Sequence, residues 1–403
     1  MILKNKVIVF LGNMRSDGPI KATSLFIARN LAKDNKVFFI DYPFTLKDYF
    51  KYIKSDEVKD RKKKFPIFSD GIIETDLPNL KIVITPPVIP INFLPEGLIF
   101  RSMLKINENF ICWRLKKIFK KESIKEFIYI NSFNFHYPNI ANKIKPTLTV
   151  YQCVDPMIIP YDMKHGIKSE KQLVQKSDLV ICTSKALYLE KKLLNKHTYF
   201  IPNGADSSHD LTTTDNVTAV HPKIKDLRRP IIGYLGTIER RINYELVREV
   251  MEAHPDKTFV FAGPVDYSYV PEYMFKLPNI HFLGIIPYLE VPHMINSFDV
   301  AIIPFKKDEV SETIFPIKLF EYLSVGKPVI LTNFNLDLKD YTLDLVEYCN
   351  DATSFSKAIE SVIQNDSKDK AQQRKALANL NTWKERTDQI SAIISAHLSS
   401  KAL

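Results

Sequence analysis

The sequence predicts an α/β protein made of two Rossmann-like, doubly wound domains that face each other across a cleft. Three observations lead there. The chain has 403 residues, more than one ordinary core needs and enough for two α/β domains. Short β-branched and aromatic runs alternate with longer stretches of helical apolar spacing, the pattern of a parallel sheet covered on both faces. The alternation stops once, in the polar stretch 206–229 with its Ser-Ser-His-Asp and Thr-Thr-Thr-Asp-Asn runs, and then starts again.

Taken in order, residues 7–11 form the first strand and 22–33 a helix. Residues 36–41, 81–84, 127–131, 147–153 and 179–183 form further strands, with a shorter signal at 199–201. After the polar stretch come a strand at 230–235, a helix at 243–253, strands at 258–262 and 280–282, and a helix at 289–297. A strand at 299–304, a helix at 317–324 and a strand at 328–332 follow, and a helix over 382–397 closes the chain. The expected domains are 1–208 and 230–380, with 209–229 as a linker and 381–403 as a terminal helix. Ligands of such sheets sit beyond the carboxyl ends of the strands, where facing loops converge.

Composition narrows the partners. Apolar residues make up 45% and charged residues 25%, ordinary for a soluble globular chain and against long disorder. The net charge of +10 points to an anionic partner. No zinc-finger pattern, RNA-recognition signature or basic tail favours nucleic acid, which leaves a phosphate-bearing substrate at or near a membrane surface. Cys112, Cys153, Cys182 and Cys349 show neither metal-ligand spacing nor a disulfide framework, in keeping with a reducing, cytoplasmic setting. The apolar run 7–11 is too short for a signal-peptide core. No stretch is long and apolar enough to span a bilayer, so membrane contact is expected to be peripheral.

The strongest local signal is Ile314-Phe315-Pro316-Ile317-Lys318-Leu319-Phe320-Glu321-Tyr322-Leu323-Ser324-Val325-Gly326-Lys327-Pro328-Val329-Ile330. A polar loop opens a helix there, and a helix start offers free backbone N–H groups and a positive dipole end. Residues 315–318 can cradle a diphosphate. Pro316 suits the first turn, where a missing N–H costs little. Lys318 adds a cation, and Glu321 can accept hydrogen bonds from a ribose diol. The plain alternative is a packing helix with a solvated Glu321.

This segment resembles the C-terminal signature of GT-B glycosyltransferases of the group 1 (GT4-like) superfamily. It is most similar to the bacterial cell-surface polysaccharide, teichuronic-acid-type branch, whose K-L-F-E-Y-L-A-x-G-K-P-V-V string residues 318–329 match nearly throughout. Other segments agree in order. Gly233-Tyr234-Leu235-Gly236-Thr237-Ile238-Glu239-Arg240-Arg241-Ile242-Asn243 resembles the family's opening of the nucleotide-binding domain. Phe259-Val260-Phe261-Ala262-Gly263-Pro264-Val265 resembles its next strand and glycine turn. Asn279-Ile280-His281-Phe282-Leu283-Gly284, Tyr151-Gln152-Cys153-Val154-Asp155, Ile201-Pro202-Asn203-Gly204-Ala205-Asp206 and Asn381-Thr382-Trp383 each have counterparts. The likeness is close over 147–397 and loose before that.

The resemblance implies transfer of a sugar from a nucleoside diphosphate sugar to a glycan or lipid-linked acceptor, with retention as the usual outcome. It implies no cofactor and no metal, because side chains and helix ends meet the charge of the leaving diphosphate. The donor site would comprise Gly236, Thr237, Gly263, Pro264, Phe315, Pro316, Ile317, Lys318, Leu319 and Glu321, with Arg241, or its neighbour Arg240, as the second cation. It implies that the terminal helix packs back on the first domain. Many relatives carry an E-x7-E pair. Here Thr313 takes the first position and Glu312 is one residue off, so either Glu312 turns in or Thr313 and the backbone meet the donor sugar. His136, after the strand at 127–131, and Asp155, after the next, are the acid/base candidates. In retaining relatives the leaving phosphate can itself assist.

The loop Gly12-Asn13-Met14-Arg15-Ser16-Asp17-Gly18-Pro19 follows the first strand, and Gly12, Asn13 and Arg15 are expected to face substrate. It is not a G-x-G-x-x-G fingerprint, which disfavours a dinucleotide site. Residues 98–121 interleave apolar and basic side chains. Such a segment can lie on an anionic membrane and meet a lipid-linked acceptor, or it can pack on the core with a solvated basic face. Lys59-Asp60-Arg61-Lys62-Lys63-Lys64 reads as a solvated loop. Two further functions fit the same fold, a nucleotide-sugar epimerase and a non-catalytic nucleotide-sugar-binding protein.

Overall fold

The computed structural model describes residues 2–17, 23–52, 54–55, 58–205 and 220–401. The chain forms two compact units, Met1–Pro202 with Arg386–Leu403, and Asn203–Glu385. Residues 206–208 at the end of the expected first domain, 209–219 of the expected linker, Gly18 and Pro19 of the first loop, and Ala22 lie outside the described residues.

The first unit is built on strands β1 (Val7–Leu11), β2 (Lys36–Ile40), β3 (Ile72–Glu74), β4 (Leu80–Val83), β5 (Ile128–Ser132), β6 (Leu148–Cys153), β7 (Leu179–Cys182) and β8 (Thr198–Phe200). Their order across the sheet is β3-β4-β2-β1-β5-β6-β7-β8. All pair in parallel except β3 with β4. β1 is nearly all buried, as a strand covered on both faces must be, and its β-branched and aromatic side chains fit that setting. The antiparallel β3 has only three residues, too few for a periodicity to show.

The helix Leu98–Lys121 settles one of the sequence alternatives. Phe100, Leu104, Ile111, Leu115 and Ile118 belong to the core, so this face is committed to the unit itself, while Leu98, Ile99, Ile106 and Trp113 stay exposed. Arg114, also fully buried, donates to the carbonyls of Lys64, Pro66 and Ser69 at 3.1, 2.9 and 2.5 Å. The basic cluster beginning at Lys59 is likewise partly structural. Arg61 is buried and pairs with Asp41 and Asp17.

The second unit has strands β9 (Ile231–Leu235), β10 (Thr258–Ala262), β11 (Ile280–Gly284), β12 (Val300–Ile303), β13 (Val329–Thr332) and β14 (Glu347–Cys349). Their order is β11-β10-β9-β12-β13-β14, and every pair is parallel. One core joins the strands to the helices Tyr244–Ala253, Ile317–Ser324 and Ala352–Asn365. Asn243 caps the first of these by accepting from Leu246 N–H at 3.2 Å. Asp351 and Ser354 form a capping box on the third, satisfying donors that a helix start leaves unpaired.

Candidate active site

In an open parallel sheet, ligands bind outside the strand carboxyl ends at the point where the strand order reverses. In the second unit that point lies at β9, flanked by β10 on one side and β12 on the other. The segments leaving β9, β10 and β12 supply the predicted donor residues, together with the helix Ile317–Ser324.

Two glycines let these segments approach. Gly236 and Gly263 have φ of 140° and 138°, where a side chain is strained. A Cβ on Gly263 would collide with the Gly236 carbonyl, and one on Gly236 would stand 2.5 Å from Lys318 Nζ. Gly236 N–H donates to Ala262 O at 2.8 Å and Ile238 N–H to Pro264 O at 2.9 Å. The Thr237 carbonyl accepts from Tyr234 Oη–H at 2.9 Å. Gly236, Thr237, Gly263 and Pro264 thus form one tight double turn.

Lys318 reaches into this turn. Its Nζ donates to Tyr234 Oη at 2.6 Å and lies 4.0 Å from the Tyr234 ring centroid and 5.0 Å from that of Phe305. Burial, followed by the Arg241 charge, holds the Lys318 ammonium well below the usual lysine range, while Glu321 and Glu239 act in the opposite sense. Tyr322 ties the same helix to β9. Its hydroxyl accepts from Leu235 N–H at 2.8 Å and donates to Leu235 O at 3.2 Å.

The Arg241 guanidinium pairs with Glu239 and lies 5.6 Å from the Phe305 ring centroid. Lys306 N–H fixes the Arg241 backbone by donating to its carbonyl at 2.7 Å. Arg240 approaches Glu239 at 3.7 Å. Both arginine side chains keep about a third of their surface in solvent, 30% for Arg240 and 33% for Arg241, and so remain reachable by an anion.

Pro316 stands at the cap of Ile317–Ser324, where no side-chain oxygen accepts from the first N–H groups. The approach to the helix is pinned from both sides. Asn203 Nδ2 donates to Phe315 O at 2.8 Å and Asn335 Nδ2 to Ile314 O at 2.9 Å. Leu319 N–H turns back to Pro316 O at 3.3 Å, which leaves the amides of Ile317 and Lys318 as the helix start's outward donors. The Phe315 and Leu319 side chains are buried in the core, so these residues can contribute only backbone. Ile317, Lys318 and Glu321 are half-buried. Glu312 is exposed, and Thr313 donates its hydroxyl proton to Val310 O at 2.6 Å.

In the first unit the reversal lies at β1, between β2 and β5. Gly12 leaves β1 against the Phe39 ring, and its carbonyl accepts from Asn134 Nδ2 at 2.8 Å. Asn13 Oδ1 accepts from Ser24 Oγ at 3.4 Å, and Arg15 lies 5.5 Å from the Phe44 ring centroid. His136 lines a cavity of about 460 Å³ with Tyr42, Tyr137, Tyr161 and His165. Its Nε2 is 3.7 Å from Asp162 Oδ1. Burial, and then His165, push its pKa down to about 4. Asp155 is exposed just after β6. Among the described residues no group of three or more His, Cys, Asp or Glu could hold a metal ion. No described helix is long and apolar enough to cross a membrane.

Sequence reasoning singled out Lys318, Arg241 and Glu321 and missed the side chains that hold them. Tyr234, Glu239, Asn203 and Phe305 carry no pattern that marks them as site residues, although the first three lie in the quoted motifs. A cavity of about 510 Å³ lined by Arg229, Asp299, Lys327 and Asp366 lies at the amino ends of β9, β12 and β13. That is the opposite edge of the sheet, and it takes no part in this arrangement.

Residues 218–379 match the family model of glycosyl transferases group 1, and solved structures similar to this chain over nearly its whole length share its two-sheet architecture. The fold is of the GT-B architecture, and the second unit carries the match to the group 1 glycosyl transferases. Among curated proteins the chain is similar to the "Putative teichuronic acid biosynthesis glycosyltransferase TuaH" of Bacillus subtilis (strain 168). The two are 26% identical over 269 residues, a match spanning 61% of this chain and 66% of the relative's length. Among solved structures it is similar to sucrose-phosphate synthase from Thermosynechococcus elongatus, at TM-score 0.71 and 14% identity over 98% of this chain and 100% of the other. It is also similar to Anabaena Alr3699/HepE in complex with UDP and glucose, at TM-score 0.64 and 14% identity over 97% and 100% of the two chains.

Proposed function

We propose that the protein moves a sugar, with retention, from a nucleoside diphosphate sugar to a glycan or lipid-linked acceptor of a surface polysaccharide. The reaction would take place at the cytoplasmic face of the membrane. The observation that carries the donor reading is the convergence of Lys318, Arg241 and the amides of Ile317 and Lys318 at the carboxyl-end reversal point of the second sheet. The teichuronic acid relative and the UDP complex of the Anabaena neighbour support the choice of acceptor class and donor class.

In the reaction the bond from the anomeric carbon to the phosphate oxygen breaks, and both electrons leave with the diphosphate. The acceptor oxygen bonds to that carbon and gives up its proton. The two cations and the amides meet the charge gathering on the diphosphate, where prearranged positive groups act most strongly. They supply what a metal would otherwise bring. Glu321 accepts hydrogen bonds from the ribose. Glu312 or the backbone near Thr313 meets the donor sugar. Gly12, Asn13 and Arg15 face substrate, and His136 or Asp155 can take the acceptor proton.

A thermal-shift screen with UDP, GDP, ADP and dTDP identifies the base, because a bound nucleotide raises the melting temperature with occupancy. Lys318→Ala and Arg241→Ala are each expected to lower sugar transfer by about 10²–10³-fold. Glu321→Ala is expected to weaken nucleotide binding about tenfold or more. Transfer and binding unchanged in all three variants would remove the donor site from this place.

A further inference from the structure

The cavity of about 510 Å³ at the amino ends of β9, β12 and β13 has walls of two kinds. Pro230, Pro328, Val362 and Ile363 are apolar, and Arg229, Asp299, Lys327 and Asp366 bring charge.

The two carboxylates are already engaged. Asp299 accepts from Arg229 Nη2 at 2.5 Å and from Ile231 N–H at 2.6 Å. The two oxygens of Asp366 accept from Arg374 Nη2 at 2.7 and 2.8 Å, and Arg374 is itself buried. The Lys327 ammonium is bonded to neither acid, and it makes no ion pair or side-chain hydrogen bond among the described residues.

Helix capping does not account for this lysine. Its backbone, not its side chain, closes the helix Ile317–Ser324. Gly326, at φ 81°, donates its N–H to Leu323 O at 2.8 Å, and Lys327 N–H donates to Tyr322 O at 3.1 Å. Glu321 O accepts from Ser324 Oγ at 2.8 Å, and Gly326 O from Arg374 Nε at 2.9 Å. The carbonyls of residues 321–323 and of Gly326 are thus served without the ammonium.

One more cation stands beside this turn. A Cβ on Gly326 would lie 3.0 Å from Lys375 Cε. Lys375 belongs to the helix Lys368–Asn379, and its ammonium also makes no ion pair among the described residues. Arg229, Lys327, Arg374 and Lys375 therefore face only the two carboxylates of Asp299 and Asp366, and the positive excess equals the charge of one dianion. Burial pushes the Lys327 ammonium down to about 8. Asp299 and Asp366 oppose that shift, while Arg229 and Arg374 add to it. An anion in the cavity would favour the charged lysine.

We propose that this cavity is a second anion site, which takes a small phosphomonoester with its phosphate at Lys327 and Arg229 and its organic body along Val362, Ile363 and Pro328. Arg229 keeps 44% of its side chain in solvent and uses only Nη2 in bonds among the described residues, which leaves Nε and Nη1 to meet a ligand. A phosphomonoester carries about −1.5 to −2 at neutral pH, which matches the excess, whereas a carboxylate would meet about half of it. The apolar walls favour an ester over the bare ion, since its body leaves water there. The site is independent of the donor reading. It lies at the opposite edge of the sheet from Lys318, so the two can fill together.

Isothermal titration calorimetry of the full chain at about pH 7 and constant ionic strength tests the site, with phenyl phosphate, inorganic phosphate and UDP as probes. Phenyl phosphate is expected to saturate and to bind about tenfold or more tighter than inorganic phosphate. Its affinity should fall about tenfold or more in Lys327→Met and about threefold or more in Lys375→Met. Both variants should melt no lower than the unaltered protein, because neither lysine makes a bond that folding needs. Lys327→Met should keep UDP binding, and Lys318→Ala should keep phenyl phosphate binding. Raising the pH from about 7 to about 9 should weaken phenyl phosphate about tenfold, as Lys327 loses its proton, and should leave Lys327→Met unaffected. The site is overturned if phenyl phosphate does not saturate, if Lys327→Met binds it like the unaltered protein, or if Lys318→Ala alone abolishes binding, which would put the phosphate in the donor site. Equal affinity for the two phosphates would overturn the phosphomonoester as ligand. Phenyl phosphate binding as described without any UDP binding would sink the donor reading and leave this site standing, and UDP binding alone would do the reverse.

Discussion

At Lys318 an ammonium has exchanged most of its water for two aromatic rings, one hydroxyl and a neighbouring guanidinium. Burial and Arg241 both disfavour its charged form, and a diphosphate beside it would favour that form. Binding a nucleoside diphosphate is therefore expected to take up a proton wherever the pH lies above the pKa of Lys318 in the free protein, and affinity should fall as pH rises. Calorimetry in buffers of different ionisation enthalpy measures the uptake, and Lys318→Met should abolish it. His136 carries the opposite consequence for stability. Its folded pKa is near 4 and its unfolded value is about 6.5. Between those values the unfolded chain binds a proton that the folded chain refuses, so stability is complete above about pH 6.5 and is lost as pH falls toward 4. Denaturant titrations of His136→Asn should show a flatter pH dependence across that window.

The element that matters most is the double turn that joins β9 and β10 to the helix Ile317–Ser324. Gly263 sits against the Gly236 carbonyl in a backbone region strained for any side chain. Gly263→Ala is expected to destabilise the second unit by about 2–4 kcal/mol, measured by urea unfolding followed through its core tyrosines. This element was partly legible in the sequence. The apolar spacing, the proline and the Gly-Lys-Pro stop placed the helix at 317–324, which is where it lies. The strands β1 and β10 were equally plain, because a strand covered on both faces reads as an unbroken apolar run. The edge strands β3 and β14, with three residues each, have too little length for any period to emerge. The helix Leu98–Lys121 was legible as a helix but not by its partner. A basic amphipathic pattern suits a bilayer and a protein core alike, and only packing shows that its apolar face is already occupied.

At the scale of the whole chain, the last residues do not belong with those that precede them. Arg386–Leu403 are part of the first unit. Ile390 and Ile394 are buried, Lys401 pairs with Asp178, and the His397 ring meets His197 at 5.2 Å. A chain ending at Glu385 should lose about 3–6 kcal/mol from the first unit, roughly the burial of two isoleucines. The second unit, which holds the proposed donor residues, should keep its own melting transition. Differential scanning calorimetry with and without UDP assigns the transitions, since the one raised by nucleotide belongs to the unit that binds it.

By itself the sequence determined the alternation of strands and helices, the break between two α/β series, and the chemistry of the helix start with Lys318 and Glu321. These are local properties, written in spacing and in neighbours along the chain. Only tertiary structure decided the strand order that puts a reversal point at β9, the choice of Tyr234 as the partner of Lys318, and the seating of Arg241 beside the Phe305 ring. It also decided that the core takes Phe100, Leu104, Ile111 and Leu115 from the long helix and leaves Leu98 and Ile99 in solvent. Such contacts join residues dozens of positions apart, and no pattern within a segment records which distant segment it will meet.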